Sequence, residues 1–116
     1  MNFLVLFSFV ASLPFNNIQS GGSLTFYDPS TGGGACDGIV HKRDDLVVAM
    51  PPNTKRCGSF IKIFYRDRSV VAKIVDQCPG CWETGIVGTL GVWAALGISE
   101  GSANQIGRLD VEWMYV

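Results

Sequence analysis

Four cysteines set the tightest limit on what this chain can fold into, because Cys36, Cys57, Cys78 and Cys81 all lie downstream of an apolar leader. The leader, "MNFLVLFSFVASLPFNNIQS", has an apolar run from Phe3 to Val10, broken only by Ser8, and no acidic residue. It reads as a secretory signal peptide over residues 1–20, with small Ser20 before Gly21 at the cleavage point. It carries no Lys or Arg, so only the amino terminus supplies positive charge. Pro14, Asn16 and Asn17 interrupt the run well short of the roughly 20 apolar residues that a membrane span requires. Export leads to an oxidising compartment, where an even cysteine count reads as two disulfides rather than a reduced metal site. Residues 21–116 then form one domain of about 96 residues, near the lower end for a single hydrophobic core, so covalent support is expected.

Charge narrows the partners. Nine Lys and Arg against ten acids give a net charge of −1, without the basic excess of a nucleic-acid binder. The expected molecule is a secreted monomer, extracellular or associated with a cell wall, with no membrane attachment after cleavage of the leader.

Short β-rich runs dominate the rest of the chain. "SLTFYDPSTGGGACDG" opens as a strand over Ser23–Tyr27 and breaks at Asp28-Pro29 into a mobile glycine-rich loop ending at Cys36. "DDLVVAM" is a short buried strand, stopped by the prolines and turn of "PPNTKRCG". Phe60–Tyr65 and Ser69–Val75, separated by Arg66-Asp67-Arg68, read as a β-hairpin. "GTLGVWAALGI" (Gly88–Ile98) has apolar residues at helical spacing before Gly97 and is the one helix expected from pattern. The polar loop "SEGSANQIG" then leads to a final strand in "RLDVEWMYV", where Leu109, Val111 and Trp113 alternate against Asp110 and Glu112.

The chemistry-bearing residues are few. Cys78-Pro79-Gly80-Cys81 matches a redox CxxC by spacing, but the βαβ setting that lowers a thiol pKa is missing, so a structural disulfide is the better reading. The four cysteines and lone His41 supply enough ligands for zinc, yet contain a single CxxC pair; no metal and no cofactor are expected. His41 itself reads as a solvated loop residue. Trp93 and Trp113 fall on core-facing patterns, which leaves Trp82, beside Cys81, as the aromatic available to a ligand. Asp76 ends an apolar strand, where an acid is costly unless bonded, paired or functional. It reads either as a cap for the following turn or as a groove acid, and glycoside hydrolysis would demand a second carboxylate beside it. Spacing alone leaves three disulfide connectivities open.

In order and spacing, "SLTFYDPSTGGGACDG", "RCGSFIKI", "VVAKIVDQCPGC" and "VWAALGI...GRLDVEWMYV" resemble the double-psi β-barrel proteins of the expansin, barwin, kiwellin and rare-lipoprotein-A-like group. The resemblance spans nearly all of residues 21–116 and looks closest to kiwellin-like or small fungal expansin-like members. It implies a mainly β fold, a six-stranded double-psi β-barrel with one or two short helices, open along a groove. It implies disulfides Cys36–Cys57 and Cys78–Cys81. Carried over by motif, the groove residues fall on Thr25, Tyr27 and Asp76, while the second acid of expansin-like grooves falls on Gly88.

With that acid missing, the expected function is non-catalytic: a groove that binds a cell-wall polysaccharide or a secreted partner protein through Thr25, Tyr27, Asp76 and Trp82, in a defence, inhibitor or effector role. The alternative is an expansin- or endoglucanase-like enzyme with Asp76 as the catalytic acid and Glu83 or Asp28 recruited as its partner.

Overall fold

The hairpin is built from two alternating strands, β3 (Phe60–Tyr65) and β4 (Arg68–Gln77), which pair antiparallel from Phe60↔Lys73 to Tyr65↔Arg68. Ile61 and Ile63 face Val70, Ala72 and Ile74 in the core, so alternation alone sets the register. The computed structural model describes residues 18–52, 56–81 and 85–116. Four further strands complete the sheet: β1 (Gln19–Phe26), β2 (Val47–Met50), β5 (Gly85–Gly88) and β6 (Leu109–Tyr115). They close into a barrel in the order β1-β5-β2-β4-β3-β6. The β1–β5 and β2–β4 pairs are parallel and the others antiparallel. Closure leaves no unpaired sheet edge and gives Leu24, Val48, Met50, Ile61, Ile74 and Ile86 a shared interior.

This is the mainly β, six-stranded barrel with two short helices that the resemblance implied. Its details differ from the pattern reading in five places. β1 starts at Gln19, whose partner is Trp113 across a bulge before Gly22, so its first two residues, Gln19 and Ser20, fall within the expected 1–20 leader. The leader's residues 1–17 lie outside the described chain. β5 has no strand signature of its own. "GIVG" is short and flanked by glycine, and it becomes a strand because β1 and β2 flank it.

The expected helix over Gly88–Ile98 is shorter. It forms as α1 (Leu90–Ala95), because Thr89 Oγ1 accepts the Val92 N–H and caps it there. The segment "SEGSANQIG", read as a polar loop, holds a second helix, α2 (Glu100–Ile106). Ser99 caps it by accepting the Ser102 N–H, Gly107 at φ 73° ends it, and Ala103 buries its inner face.

Both implied disulfides are present, Cys36–Cys57 and Cys78–Cys81. The glycine-rich loop is pinned rather than mobile. Cys36 anchors it, its N–H donates to the Val75 carbonyl at 3.2 Å, and Gly34 lies so close to β4 that a Cβ would sit 2.3 Å from that carbonyl oxygen.

Candidate functional site

Alternation along β1 places Leu24 in the core and Ser23 and Thr25 on the outer face. There they meet Gly85 and Val87 of β5, the Cys78–Cys81 disulfide and Arg108, around a cavity of about 460 Å³. The end of β1 is fixed from inside the barrel. Trp93 Nε1 donates to the Thr25 carbonyl at 3.1 Å, and its ring meets Phe26 edge-on at 5.7 Å. The Tyr27 N–H then donates to the Gly88 carbonyl at 3.2 Å, carrying the β1–β5 pairing one residue further. Tyr27 is therefore held by the core, two residues beyond Thr25.

Asp76 reaches the same surface through an irregularity in β4. Val70, Ala72 and Ile74 point inward, and unbroken alternation would put Asp76 inward as well. The register against β2 shifts between Val48↔Ile74 and Ala49↔Asp76, which makes Val75 the extra residue of a bulge. Ile74 and Val75 are consequently both buried, and Asp76 turns outward to a half-buried position. Its Oδ1 accepts the Ala35 N–H at 2.8 Å and the Gln77 N–H at 2.7 Å. One oxygen thus locks the glycine-rich loop onto the strand end; Oδ2 has no hydrogen bond among the described residues.

The loop delivers a residue that motif reasoning missed. Asp37 lies two residues past Ala35, and both Asp76 and Asp37 act on the Tyr27 hydroxyl. Burial, then Asp76, then Asp37, push the Tyr27 pKa from 10.0 up to about 12, so the phenol stays protonated and acts as a donor. The hydroxyl is buried and has no hydrogen-bond partner among the described residues. The Ile39 N–H donates to Asp37 Oδ1 at 2.9 Å and holds that carboxyl below its usual range, so Asp37 is ionised.

His41 is not the solvated loop residue expected. Its side chain is 18% exposed and sits between two acids, Nε2 3.6 Å from Asp37 Oδ2 and Nδ1 3.5 Å from Asp45 Oδ2. Asp45 is tied in turn through its carbonyl, which accepts from Thr89 Oγ1, the same hydroxyl that caps α1. The only sequence signal for this cluster is the four-residue spacing of Asp37, His41 and Asp45, which means little in a loop.

The expected site residues therefore divide. Thr25 lines the cavity beside the disulfide, and Tyr27, within the electrostatic reach of Asp76 and Asp37, lies roughly 7 Å further along β1, at about 3.3 Å per strand residue. Trp82 and Glu83 lie outside the described residues. Asp28 is committed elsewhere: Oδ1 accepts from Ser30 and Oδ2 faces Arg43 at 3.6 Å. Gly88 is buried, and a Cβ there would sit 3.1 Å from both Leu24 Cδ1 and Val92 Cγ1. An acid at position 88 would enter the core, so its absence says nothing about the groove. The β5 positions that do face outward are Gly85 and Val87, and neither is acidic.

Known proteins of this shape come from several settings. No family model matches the chain. Ripening-related protein grip22 of Vitis vinifera is 33% identical over 89% of the chain and 50% of its own length. Kiwellin of Actinidia chinensis var. chinensis is 30% identical over 89% of the chain and 52% of its own length. The chain thus spans about half the length of these relatives. Among solved structures, the Streptomyces papain inhibitor superposes with a TM-score of 0.71 at 23% identity, covering 90% of this chain and 99% of that one. A mutant Clavibacter michiganensis expansin in complex with cellohexaose superposes at 0.69 and 22% identity, covering 84% of this chain and 50% of that one.

Proposed function

From the premise that the chain is an expansin- and kiwellin-like double-psi β-barrel, we propose that it is a secreted binding module whose outer face takes a neutral, hydroxyl-rich cell-wall polysaccharide. One observation carries the reading: the buried, unpartnered Tyr27 hydroxyl beside two carboxylates, each with an oxygen turned away from its backbone bonds. A sugar hydroxyl that reaches Tyr27 can accept from it and donate its one proton to Asp76 or Asp37, and a second hydroxyl can donate to the other acid. The two acids at this end of the face disfavour an anionic glycan beside Tyr27. The adjoining cavity, floored by Thr25, Val87 and the Cys78–Cys81 disulfide, extends the contact along β1. An expansin of the same fold in complex with cellohexaose supports this ligand class, and an inhibitor of papain on the same fold makes a secreted partner protein the competing one.

The test is depletion from solution by insoluble cellulose, chitin and peptidoglycan. Cellulose or chitin should retain the protein, and Asp76→Asn, which keeps an oxygen for the Ala35 and Gln77 amides, should weaken retention while leaving the fold intact. No retention on any of the three glycans, with capture by a secreted protein instead, would move the function to protein recognition.

The Asp37–Asp76 pair also favours a second reading, a glycan hydrolase with Asp76 as acid and Asp37, in place of Asp28, as its ionised partner. That reading requires reducing-end release from soluble glycan that disappears in both Asp76→Asn and Asp37→Asn.

A further inference from the structure

We propose a second ligand site at the opposite end of the barrel, a socket for an organic carboxylate with a short apolar body. Arg68 and Asp76 are eight residues apart on β4, roughly 25 Å at strand rise, so this site is separate from the groove. The socket is a cavity of about 400 Å³ between the β3–β4 turn and the two helices, within the range of small-molecule sites. Leu96, Ile98 and Ile106 supply an apolar floor, Ser102 a hydroxyl, and Arg66 and Arg68 the charge.

Three features mark the arginines as more than solvated surface. Neither forms an ion pair among the described residues, although Asp67 lies between them and also lines the cavity, leaving one net positive charge there. Both are held in place. Arg66 stacks on the Tyr65 ring at 5.1 Å, and Arg68 lies against Gly97, where a Cβ would be 2.8 Å from Nε. Arg66 also has φ 55°, the one positive φ among described non-glycine residues. Hairpin turns put Gly or Asn at such a position, and an L side chain there costs on the order of 1 kcal/mol. The chain therefore holds a guanidinium at a backbone position suited to glycine, on the wall of a cavity, with an aromatic ring beside it and no acidic partner among the described residues. Two forked donors over an apolar floor match a carboxylate on an aliphatic body better than a bare inorganic anion, which would leave the floor uncovered.

The experiment is an amide NMR titration of the ¹⁵N-labelled protein with 4-methylpentanoate. Its amide, 4-methylpentanamide, and acetate serve as probes lacking the charge or the body. Saturable shifts at the Arg66–Arg68 and Gly97–Ile98 amides are expected with the acid alone. Arg66→Gly should lower affinity about tenfold, the loss of one charge-assisted contact, while raising the melting temperature. Arg68→Gln should weaken binding likewise. Equal response to the neutral amide or to acetate, no saturable shift, or undiminished affinity in a stabilised Arg66→Gly variant overturns the proposal.

Discussion

Tyr27→Phe should make this protein more stable while weakening its binding. The Tyr27 hydroxyl is buried without a partner, so folding strips it of water and gives nothing back. A buried hydroxyl left unsatisfied costs about 1–3 kcal/mol. The backbone at Tyr27 is held by its own N–H to Gly88 and, just before it, by the Trp93 contacts with Thr25 and Phe26, none of which involves the hydroxyl. Phenylalanine keeps all of them and leaves no polar group stranded. A gain of about 1 kcal/mol is expected, which raises the melting temperature of a domain this size by about 4–8 °C. Binding should move the opposite way. Loss of one hydrogen bond to a glycan hydroxyl lowers affinity about tenfold in the depletion isotherm. Thermal unfolding by calorimetry and cellulose depletion, run on the same preparations, give both numbers. A melting temperature several degrees below wild type would show that the hydroxyl is already bonded in the free protein. An unchanged isotherm would show that it never meets the ligand. Either result refutes the reasoning.

Other positions yield sharp expectations. In alkaline titration Tyr27 should ionise near pH 12, above the ordinary tyrosine value of 10.0. Because its folded pKa is raised from 10.0, its ionisation leaves stability unchanged below pH 10 and lowers it as pH rises from 10 toward 12, a decline that should be absent in Tyr27→Phe, as followed by unfolding at stepped pH. Gly88→Ala should destabilise by about 1–3 kcal/mol through overpacking against Leu24 and Val92, and Gly88→Asp should prevent folding rather than create a hydrolase, as checked by circular dichroism and reducing-sugar release. Replacing Cys36 and Cys57 by Ser, which opens a loop with sequence separation 21, should cost about 3 kcal/mol in urea unfolding. The same change at Cys78 and Cys81, with separation 3, should cost about 2 kcal/mol. Asp76→Ala, which strands the Ala35 and Gln77 amides, should lose about 2 kcal/mol, whereas Asp76→Asn should lose less than half of that.

The sequence by itself determined the parts of this molecule that depend on near neighbours. Alternation in "SFIKIFYRDRSVVAKIVD" fixes a hairpin and its buried face, "RLDVEW" fixes the last strand, and the spacing around Trp93 fixes a helix, because each pattern repeats with the period of its own backbone. The quoted motifs carried the barrel and both disulfide pairings through resemblance. Ser99 and Ser102 held the signal for the second helix, a capping pair with one small residue, Ala103, to bury.

The functional face was decided only in three dimensions. Val75 as an extra residue in β4 reverses the direction of Asp76, and the adjacent buried pair Ile74-Val75 hints at this without saying where the register shifts. Gly88 matched a groove acid by motif, yet its Cα faces Leu24 and Val92, because which side of a strand a residue occupies is set by pairing with β1 and β2. Asp37 joins Tyr27 and Asp76 because the Ala35 amide bonds a carboxylate 41 residues away and a disulfide anchors the loop beside it. Local pattern carries periodicity, and so it specifies strands and helices. The convergence of one tyrosine and two acids depends on contacts between distant segments, and those exist only once the barrel has closed.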